Sequence, residues 1–227
     1  MYTPPDQCEK LKTIHSYVHK LGLTSVKFIY PVAPTRTISW PTGPESDVSS
    51  WYNYFTRRDG ELHHDELDVG QLSAQTRRIH AILDREAALL DNDRRRLILG
   101  GISQGGTVAI HAAVSYGREL GGLLALRSCL IDSVTVLRDR RNAVTNTPVF
   151  VFAAGQDSVY AIELQQRGYD QLEAAGFRVE RHLETKLSHW DDSRNEKYCL
   201  ASWIVRVACP RHLRRSSSPT CIDSEIF

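Results

Sequence analysis

One serine in this sequence lies in a local pattern that could make its hydroxyl a nucleophile. The run Gly101-Ile102-Ser103-Gln104-Gly105 fits Gly-x-Ser-x-Gly, and it follows the apolar residues 97–100. Residues 107–118, which come next, have the pattern of a helix. A strand, a serine between glycines and a helix form a nucleophile elbow, a turn so tight that neighbouring side chains would collide. The pattern predicts a Ser103 hydroxyl raised above a sheet, with the Gln104 amide at a helix N-terminus, where it could stabilise an oxyanion.

A serine hydroxyl needs a base to take its proton and an acid to hold that base in one tautomer. Asp157 comes just after a second apolar run, residues 149–154, behind a glycine. His189 lies in a loop between a further predicted strand and the last predicted helix. Both are therefore expected at the carboxyl edge of the sheet, where Ser103 also projects. Asp132 also follows a predicted strand and is the alternative acid.

The elements that must position these residues alternate between apolar runs of strand length and segments with helical spacing. We predict helices over residues 7–21, 69–90, 107–118, 160–175 and 193–207, and strands over residues 25–30, 97–100, 123–128, 149–154 and 177–183. This alternation indicates an α/β fold with a mostly parallel sheet, and residues 177–183 have the polar alternation of an edge strand.

A segment rich in proline, glycine and aromatic residues precedes the second predicted helix. Residues 35–50 contain Trp40-Pro41 and Gly43-Pro44, and we expect them to form a long surface loop. Two interpretations of its aromatic residues stay open. Trp40 and the following Trp51 could line a site for an apolar substrate group, or they could attach the loop to the core.

Length and composition narrow the class of protein. The 227 residues suit one domain, predicted over residues 1–209, and residues 210–227 are predicted to be a disordered tail. The net charge of +1 argues against nucleic-acid binding. No apolar run approaches the roughly 20 residues of a membrane span, and the N-terminus lacks a signal-peptide pattern. The scattered five cysteines are interpreted as free thiols, so we expect a cytoplasmic protein.

No cofactor is expected from the sequence. The run His63-His64-Asp65-Glu66 has metal-ligating side chains, but no partner ligands occur at a helical or hairpin spacing from it. We interpret it as a solvated loop rather than a metal site.

Taken together, these residues resemble the acyl-protein thioesterase and phospholipase/carboxylesterase-like branch of the α/β hydrolases. The resemblance covers residues 8–208, and its motifs are Pro31-Val32-Ala33-Pro34, Ser50-Trp51-Tyr52, residues 99–106, Asp157 and His189. It implies an α/β-hydrolase fold in which Ser103 is the nucleophile, Asp157 the orienting acid and His189 the general base. Gln104 would supply one oxyanion amide. The implied substrates are acyl thioesters on lipidated proteins and carboxylic esters of lysophospholipids or small acyl compounds.

The sequence departs from the family pattern in three places. Ala153-Ala154 stand where the family has His-Gly before its acid, and Asn53 stands where Asp is usual. The chain also starts at the helix that, in the family, follows a strand and a His-Gly-x-Gly-Asp-like loop, the source of the second oxyanion amide. We therefore interpret the chain as N-terminally truncated, with an uncovered sheet edge that would favour self-association.

That third departure supports a second hypothesis of a different class. Removing one oxyanion donor typically costs about 10²–10³ in kcat. A protein with half of its oxyanion hole could be a catalytically weak or inactive pseudo-hydrolase that serves as a binding protein.

Overall fold

The computed structural model describes residues 5–131 and 146–209, with the backbone alone described for residues 5–12. In these ranges, an N-terminal helix and a hairpin are followed by four further strands and four further α-helices. The elements are α1 (Pro5–Lys20), β1 (Thr35–Trp40), β2 (Gly43–Ser49), α2 (Val69–Ala88), β3 (Ile98–Ile102), α3 (Gln104–Tyr116), β4 (Gly122–Leu126), β5 (Val149–Gln156), α4 (Ile162–Ala174), β6 (Val179–Ser188) and α5 (Arg194–Ala208). The predicted α/β fold is confirmed.

A parallel sheet with the strand order β3-β4-β5-β6 forms the centre of the fold. Along β5, Val149 and Val151 pack into one apolar cluster, while Phe150 and Phe152 pack into another on the opposite face. This alternation follows from the two-residue period of a strand. Residues of α2, α3 and α4 cover the first face, and residues of α1 and α5 cover the second. The three layers leave the carboxyl ends of the strands open for side chains that do chemistry.

Most predicted elements are confirmed, with small shifts at their ends. The predicted helix over residues 193–207 is α5, and Ser193 caps it, because the Ser193 hydroxyl accepts a hydrogen bond from the Glu196 amide at 3.0 Å. The helix α2 is capped in the same way by Asp68, which accepts from the Gln71 amide at 2.9 Å. The strand β6 is an edge strand of the described sheet, as its polar alternation predicted.

The prediction of a long loop over residues 35–50 is wrong, because this segment is the antiparallel hairpin β1–β2. Trp40 pairs with Gly43, so the proline and glycine mark a turn of two residues rather than an irregular loop. Ile38 and Val48 are buried between polar neighbours, which is the alternation of a half-buried hairpin.

The prediction of a strand over residues 25–30 is also wrong, although the side chains there alternate as they would in a strand. Val26 and Phe28 pack against the apolar cluster under α1, while the Lys27 ammonium lies 2.6 Å from the Glu86 carboxylate of α2. No ladder is assigned to this segment within the described ranges. Alternation alone shows which side chains are buried, whereas a strand also requires a neighbouring backbone to pair with.

The cysteines differ in part from the prediction. Cys129 and Cys209 are free thiols, whereas Cys199 is disulfide-bonded, so the prediction of free thiols is wrong for that residue. Residue spacing does not reveal which cysteines approach each other across a fold, and this explains the error.

Asp132, most of the polar segment 132–147 and the tail 210–227 lie outside the described residues. The domain boundary at residue 209, the truncation and the self-association stay predictions. Within residues 5–131 and 146–209, no helix has both the length and the apolar content that a membrane span requires.

Candidate active site

The sharpest local feature of the backbone is the turn between β3 and α3. Ser103 has φ 53° and ψ −128°, a conformation that residues other than glycine rarely adopt. Its amide still donates to the Leu126 carbonyl of β4 at 2.9 Å, and its carbonyl accepts from Thr107 at 3.1 Å. These two bonds hold the strained residue between the sheet and the first turn of α3. The structure therefore has the backbone geometry that the Gly-x-Ser-x-Gly pattern predicted.

Glycine is needed on one side of this turn but not on the other. A Cβ atom at Gly101 would lie 2.2 Å from the carbonyl oxygen of Gly105, which no rotamer change can relieve. A Cβ atom at Gly105 would meet only the Trp51 Nε1 atom at 3.4 Å, an ordinary contact. The sequence-based argument that Gly105 is sterically required is therefore wrong. The second close approach is at Gly106, where a Cβ would lie 2.6 Å from the Ser128 side chain.

We expect Gly101→Ala to destabilise the fold by about 3 kcal/mol, because the added methyl group must displace backbone. Gly105→Ala is the matched control, expected within about 1 kcal/mol of the wild type because alanine also favours the helix. Urea unfolding followed by tryptophan fluorescence measures both. Equal losses for the two variants would contradict the steric argument.

The structure brings Ser103, Asp157 and His189 into one chain of hydrogen bonds. The His189 Nε2 atom lies 2.9 Å from Ser103 Oγ, and its Nδ1 atom lies 2.8 Å from Asp157 Oδ2 and 2.9 Å from Oδ1. The side chains of His189 and Asp157 are fully buried. The three residues directly follow β3, β5 and β6, so the parallel sheet places them at one edge. In this arrangement the imidazole can accept the serine proton while the carboxylate holds it in the required tautomer.

Asp157 accepts hydrogen bonds from other donors in addition to His189. Its Oδ1 atom accepts hydrogen bonds from the amides of Val159 at 2.9 Å and Tyr160 at 2.8 Å. The Gln165 side-chain amide donates to Oδ2 at 3.3 Å. These three donors fix the orientation of the carboxylate and offset the loss of its hydrogen bonds to water on burial.

Gln104 has a second role that its sequence position does not reveal. Its backbone amide is the first in α3, where helix geometry offers no intrahelical acceptor. Its side chain, which is buried, accepts from the Trp51 amide at 2.8 Å and donates to the Tyr52 carbonyl at 2.9 Å. It also hydrogen-bonds the Ser50 hydroxyl at 2.9 Å. Gln104 therefore fastens the segment 50–52 to the elbow.

The two tryptophans considered for substrate binding lie in different surroundings. Trp51 is buried and packs beside the elbow, with the Arg78 guanidinium 5.9 Å from its ring centroid. Trp40 is half-buried on the hairpin, and its ring stacks on Tyr54 at 5.5 Å. The structure thus brings Trp51 to the site, whereas the Trp40 ring contacts Tyr54 and Arg57 and donates from Nε1 to Glu45 at 3.3 Å.

Asn53, the departure from the family's Asp, has a local explanation. Its Oδ1 atom accepts from the Ser39 amide at 2.7 Å, and its Nδ2 atom donates to the Ser39 hydroxyl at 3.1 Å. The amide supplies one acceptor and one donor for this pair of bonds, whereas a carboxylate would have to accept both, with the Ser39 hydroxyl rotated to donate. Asn53 therefore ties the hairpin to the segment that leads into α2.

Two other reactive groups near the site are kept neutral. Burial raises the pKa of the Cys129 thiol, and the nearby negative charge of Asp157 raises it further. Burial likewise raises the pKa of the Tyr160 hydroxyl far above its usual value. The Tyr160 ring packs edge-on against His189 at 5.6 Å, and its hydroxyl lies 3.1 Å from that of Tyr54. Burial therefore disfavours the thiolate of Cys129 and the phenolate of Tyr160, which are the nucleophilic forms of these side chains.

Sequence reasoning missed two residues that contact the segment carrying His189. Trp190 is 43% exposed, and its ring lies edge-on to the imidazole at 4.8 Å. Arg127 is buried directly after β4, and its guanidinium donates to the His189 carbonyl at 2.8 Å. A charged residue at the carboxyl end of a strand with buried side chains was the signal that could have identified Arg127.

The described residues do not contain a set of three or more His, Cys, Asp or Glu side chains that could hold a metal ion.

Comparison with known proteins gives a consistent result. The sequence profile described as phospholipase/carboxylesterase matches residues 12–197. The chain is 25% identical over 203 residues to the carboxylesterase SOBER1 of Arabidopsis thaliana, covering 88% of this chain and 83% of that protein. It is 29% identical over 173 residues to acyl-protein thioesterase 1 of Neurospora crassa, covering 73% and 68%.

Solved structures support the same fold. A crystal structure of Arabidopsis thaliana SOBER1 superposes with a TM-score of 0.76, covering 86% of this chain and 90% of that one at 21% identity. At this identity the likeness concerns the arrangement of helices and strands. It matches the α/β-hydrolase fold that the sequence predicted.

Proposed function

Because the chain belongs to the phospholipase/carboxylesterase family of α/β hydrolases, we propose that it cleaves carboxylic esters or acyl thioesters through an acyl-enzyme on Ser103. The observation that carries this proposal is the continuous hydrogen-bonded chain from Ser103 through His189 to Asp157. The relatives named as carboxylesterases and an acyl-protein thioesterase support the same class of reaction.

In the first half of the reaction, Ser103 Oγ attacks the acyl carbon while His189 Nε2 takes its proton. The Asp157 carboxylate stabilises the imidazolium that forms and keeps Nδ1 protonated. The Gln104 amide is the donor that we assign to the tetrahedral oxyanion, since it is at the N-terminus of α3. The imidazolium then protonates the leaving alcohol or thiol, and the acyl group stays on Ser103.

In the second half, water attacks the acyl-enzyme and gives its proton to His189. Collapse of the second tetrahedral intermediate releases the carboxylic acid and returns the proton to Ser103 Oγ. The buried imidazole serves as base and then acid in each half, so one histidine is sufficient. No cofactor is required by this chemistry.

The substrates we propose are small acyl esters and acyl thioesters on lipidated proteins. We place the acyl or leaving group near Trp190, because this exposed ring borders the imidazole edge. Trp51 contributes to the wall behind the elbow, where its Nε1 atom would lie 3.4 Å from a Cβ atom added at Gly105.

The test combines turnover with covalent labelling of the wild-type protein. We expect hydrolysis of p-nitrophenyl butyrate and of a palmitoylated-cysteine peptide, together with stoichiometric labelling by a fluorophosphonate. Mass spectrometry should place the label on Ser103, because only a serine with an adjacent base reacts readily with this reagent. Denatured protein is the control and should not be labelled. Absence of both turnover and label would favour the inactive pseudo-hydrolase.

A further inference from the structure

Each of the four strands of the parallel sheet is followed directly by a residue of the site. Ser103, Asp157 and His189 follow three of them, and Arg127 follows the fourth, β4. The Arg127 side chain is 2% exposed. Its backbone has φ 45°, the left-handed region that favours glycine. Burying a charge and straining a backbone each raise the free energy of the folded state, so the contacts around Arg127 must offset both costs.

The surroundings of Arg127 supply acceptors for the whole guanidinium. Nε and Nη2 donate to the two carboxylate oxygens of Glu196, with a distance of 3.0 Å from Nε to Oε1. Nη1 donates to the carbonyls of His189 at 2.8 Å and Asp191 at 2.7 Å, and a longer contact of 3.4 Å reaches the Ser188 carbonyl. Arg127 therefore bridges the segment 188–191 and the first turn of α5.

Glu196 is held as firmly as its partner. It is buried in the first turn of α5, and its amide donates to the Ser193 hydroxyl at 3.0 Å. That hydroxyl in turn donates to the Glu184 carboxylate of β6 at 2.6 Å. The backbone of Glu196 is thus fixed at the start of α5, and its carboxylate meets the planar guanidinium of Arg127 with both oxygens.

We propose that Arg127 and Glu196 are positioning residues, which hold the backbone of His189 where its imidazole reaches both Ser103 and Asp157. The inference rests on the proposed function, since it assigns the pair a purpose in that reaction. The imidazole is held at its two nitrogens by reacting partners, and Arg127 holds the same residue by its carbonyl. Neither Arg127 nor Glu196 is in reach of the reacting atoms by these contacts, so their effect passes through His189.

The decisive variant is the double substitution Arg127→Met/Glu196→Met. It removes both buried charges together, which usually preserves folding, and it also removes the donors to the segment 188–191. We expect kcat for p-nitrophenyl butyrate to fall about 10–100-fold with KM within about twofold, because small displacements of a catalytic group have effects of this size. Fluorophosphonate labelling of Ser103 should slow by a similar factor.

Arg206→Met/Glu180→Met is the matched control. This pair is likewise an arginine–glutamate ion pair of α5, but it joins α5 to β6, and both side chains are partly exposed. It should leave kcat within about twofold of the wild type. A folded Arg127→Met/Glu196→Met variant with wild-type kcat would overturn the proposal.

A second variant and a second measurement keep the proposal testable. Arg127→Lys retains a positive charge beside Glu196, but one ammonium group cannot donate to the carboxylate and to the carbonyls of the segment 188–191 together. We therefore expect a folded protein whose kcat is at least fivefold lower. Full activity in Arg127→Lys would also overturn it. Independently of turnover, the downfield proton NMR signal of His189 Nδ1–H should be sharp in the wild type and lost by exchange in the double variant. If the wild type shows this signal but no turnover, the proposed function fails. The positioning of His189 is then still tested by comparing the signal in the wild type and the double variant.

Discussion

Ser103→Ala is expected to lower kcat for ester hydrolysis by about 10⁶-fold, to a rate near the detection limit. The substitution removes the atom that would form the acyl-enzyme and leaves His189 without a proton to accept. KM should change little, because the elbow backbone and its neighbours remain. Steady-state hydrolysis of p-nitrophenyl butyrate, supported by active-site titration to exclude wild-type contamination, measures the effect.

The fold should tolerate this substitution. The variant loses the hydrogen bond between Ser103 Oγ and His189, and it introduces no steric clash. The free energy of unfolding should therefore stay within about 1 kcal/mol of the wild type. Ser115→Ala is the matched control on α3, the helix that Ser103 precedes, and the Ser115 hydroxyl donates to the His111 carbonyl at 2.6 Å. It should keep full activity. Substantial turnover in Ser103→Ala would remove the serine mechanism.

Asp157→Asn is expected to lower kcat by about 10⁴-fold, the size found when a triad carboxylate is neutralised in place. An asparagine can still accept the Val159 and Tyr160 amides through its oxygen. Its NH₂ group, however, would face His189 Nδ1 as a donor, and the histidine would then carry its proton on Nε2. In that tautomer the imidazole cannot accept the proton of Ser103. The kcat for ester hydrolysis and the rate of fluorophosphonate labelling should decrease together.

Asp68→Asn is the control for this change of charge. Asp68 caps α2 from outside the site, and asparagine caps a helix about as well. Its activity and unfolding midpoint should match those of the wild type. If Asp157→Asn retained more than about a tenth of the wild-type kcat, Asp157 would not be the orienting acid.

The order of strands and helices, the elbow and the three residues of the hydrogen-bonded chain could all be predicted from the sequence. These predictions rest on local signals. Ser103 lies between an apolar run and a helix, and Asp157 and His189 come directly after predicted strands. Parallel strands bring their carboxyl ends to one edge, so chain order alone indicates that such residues converge.

Local sequence patterns did not predict which backbone segments pair with each other. Residues 25–30 and 35–50 were each assigned from composition, and both assignments were wrong because a strand exists only where another backbone accepts and donates its hydrogen bonds. The disulfide of Cys199 was missed for a related reason, since it depends on an approach in space.

The tertiary structure alone decided how the site is supported. Gln104 fastens the segment 50–52 to the elbow, and Arg127 joins β4 to a carboxylate 69 positions later in the chain. Nothing near either residue in sequence indicates these partners. The sequence by itself therefore determined which side chains could do the chemistry and at which edge of the sheet they lie. Their distances of 2.8–2.9 Å depend on packing between distant elements, because a side chain is fixed by what surrounds it in three dimensions.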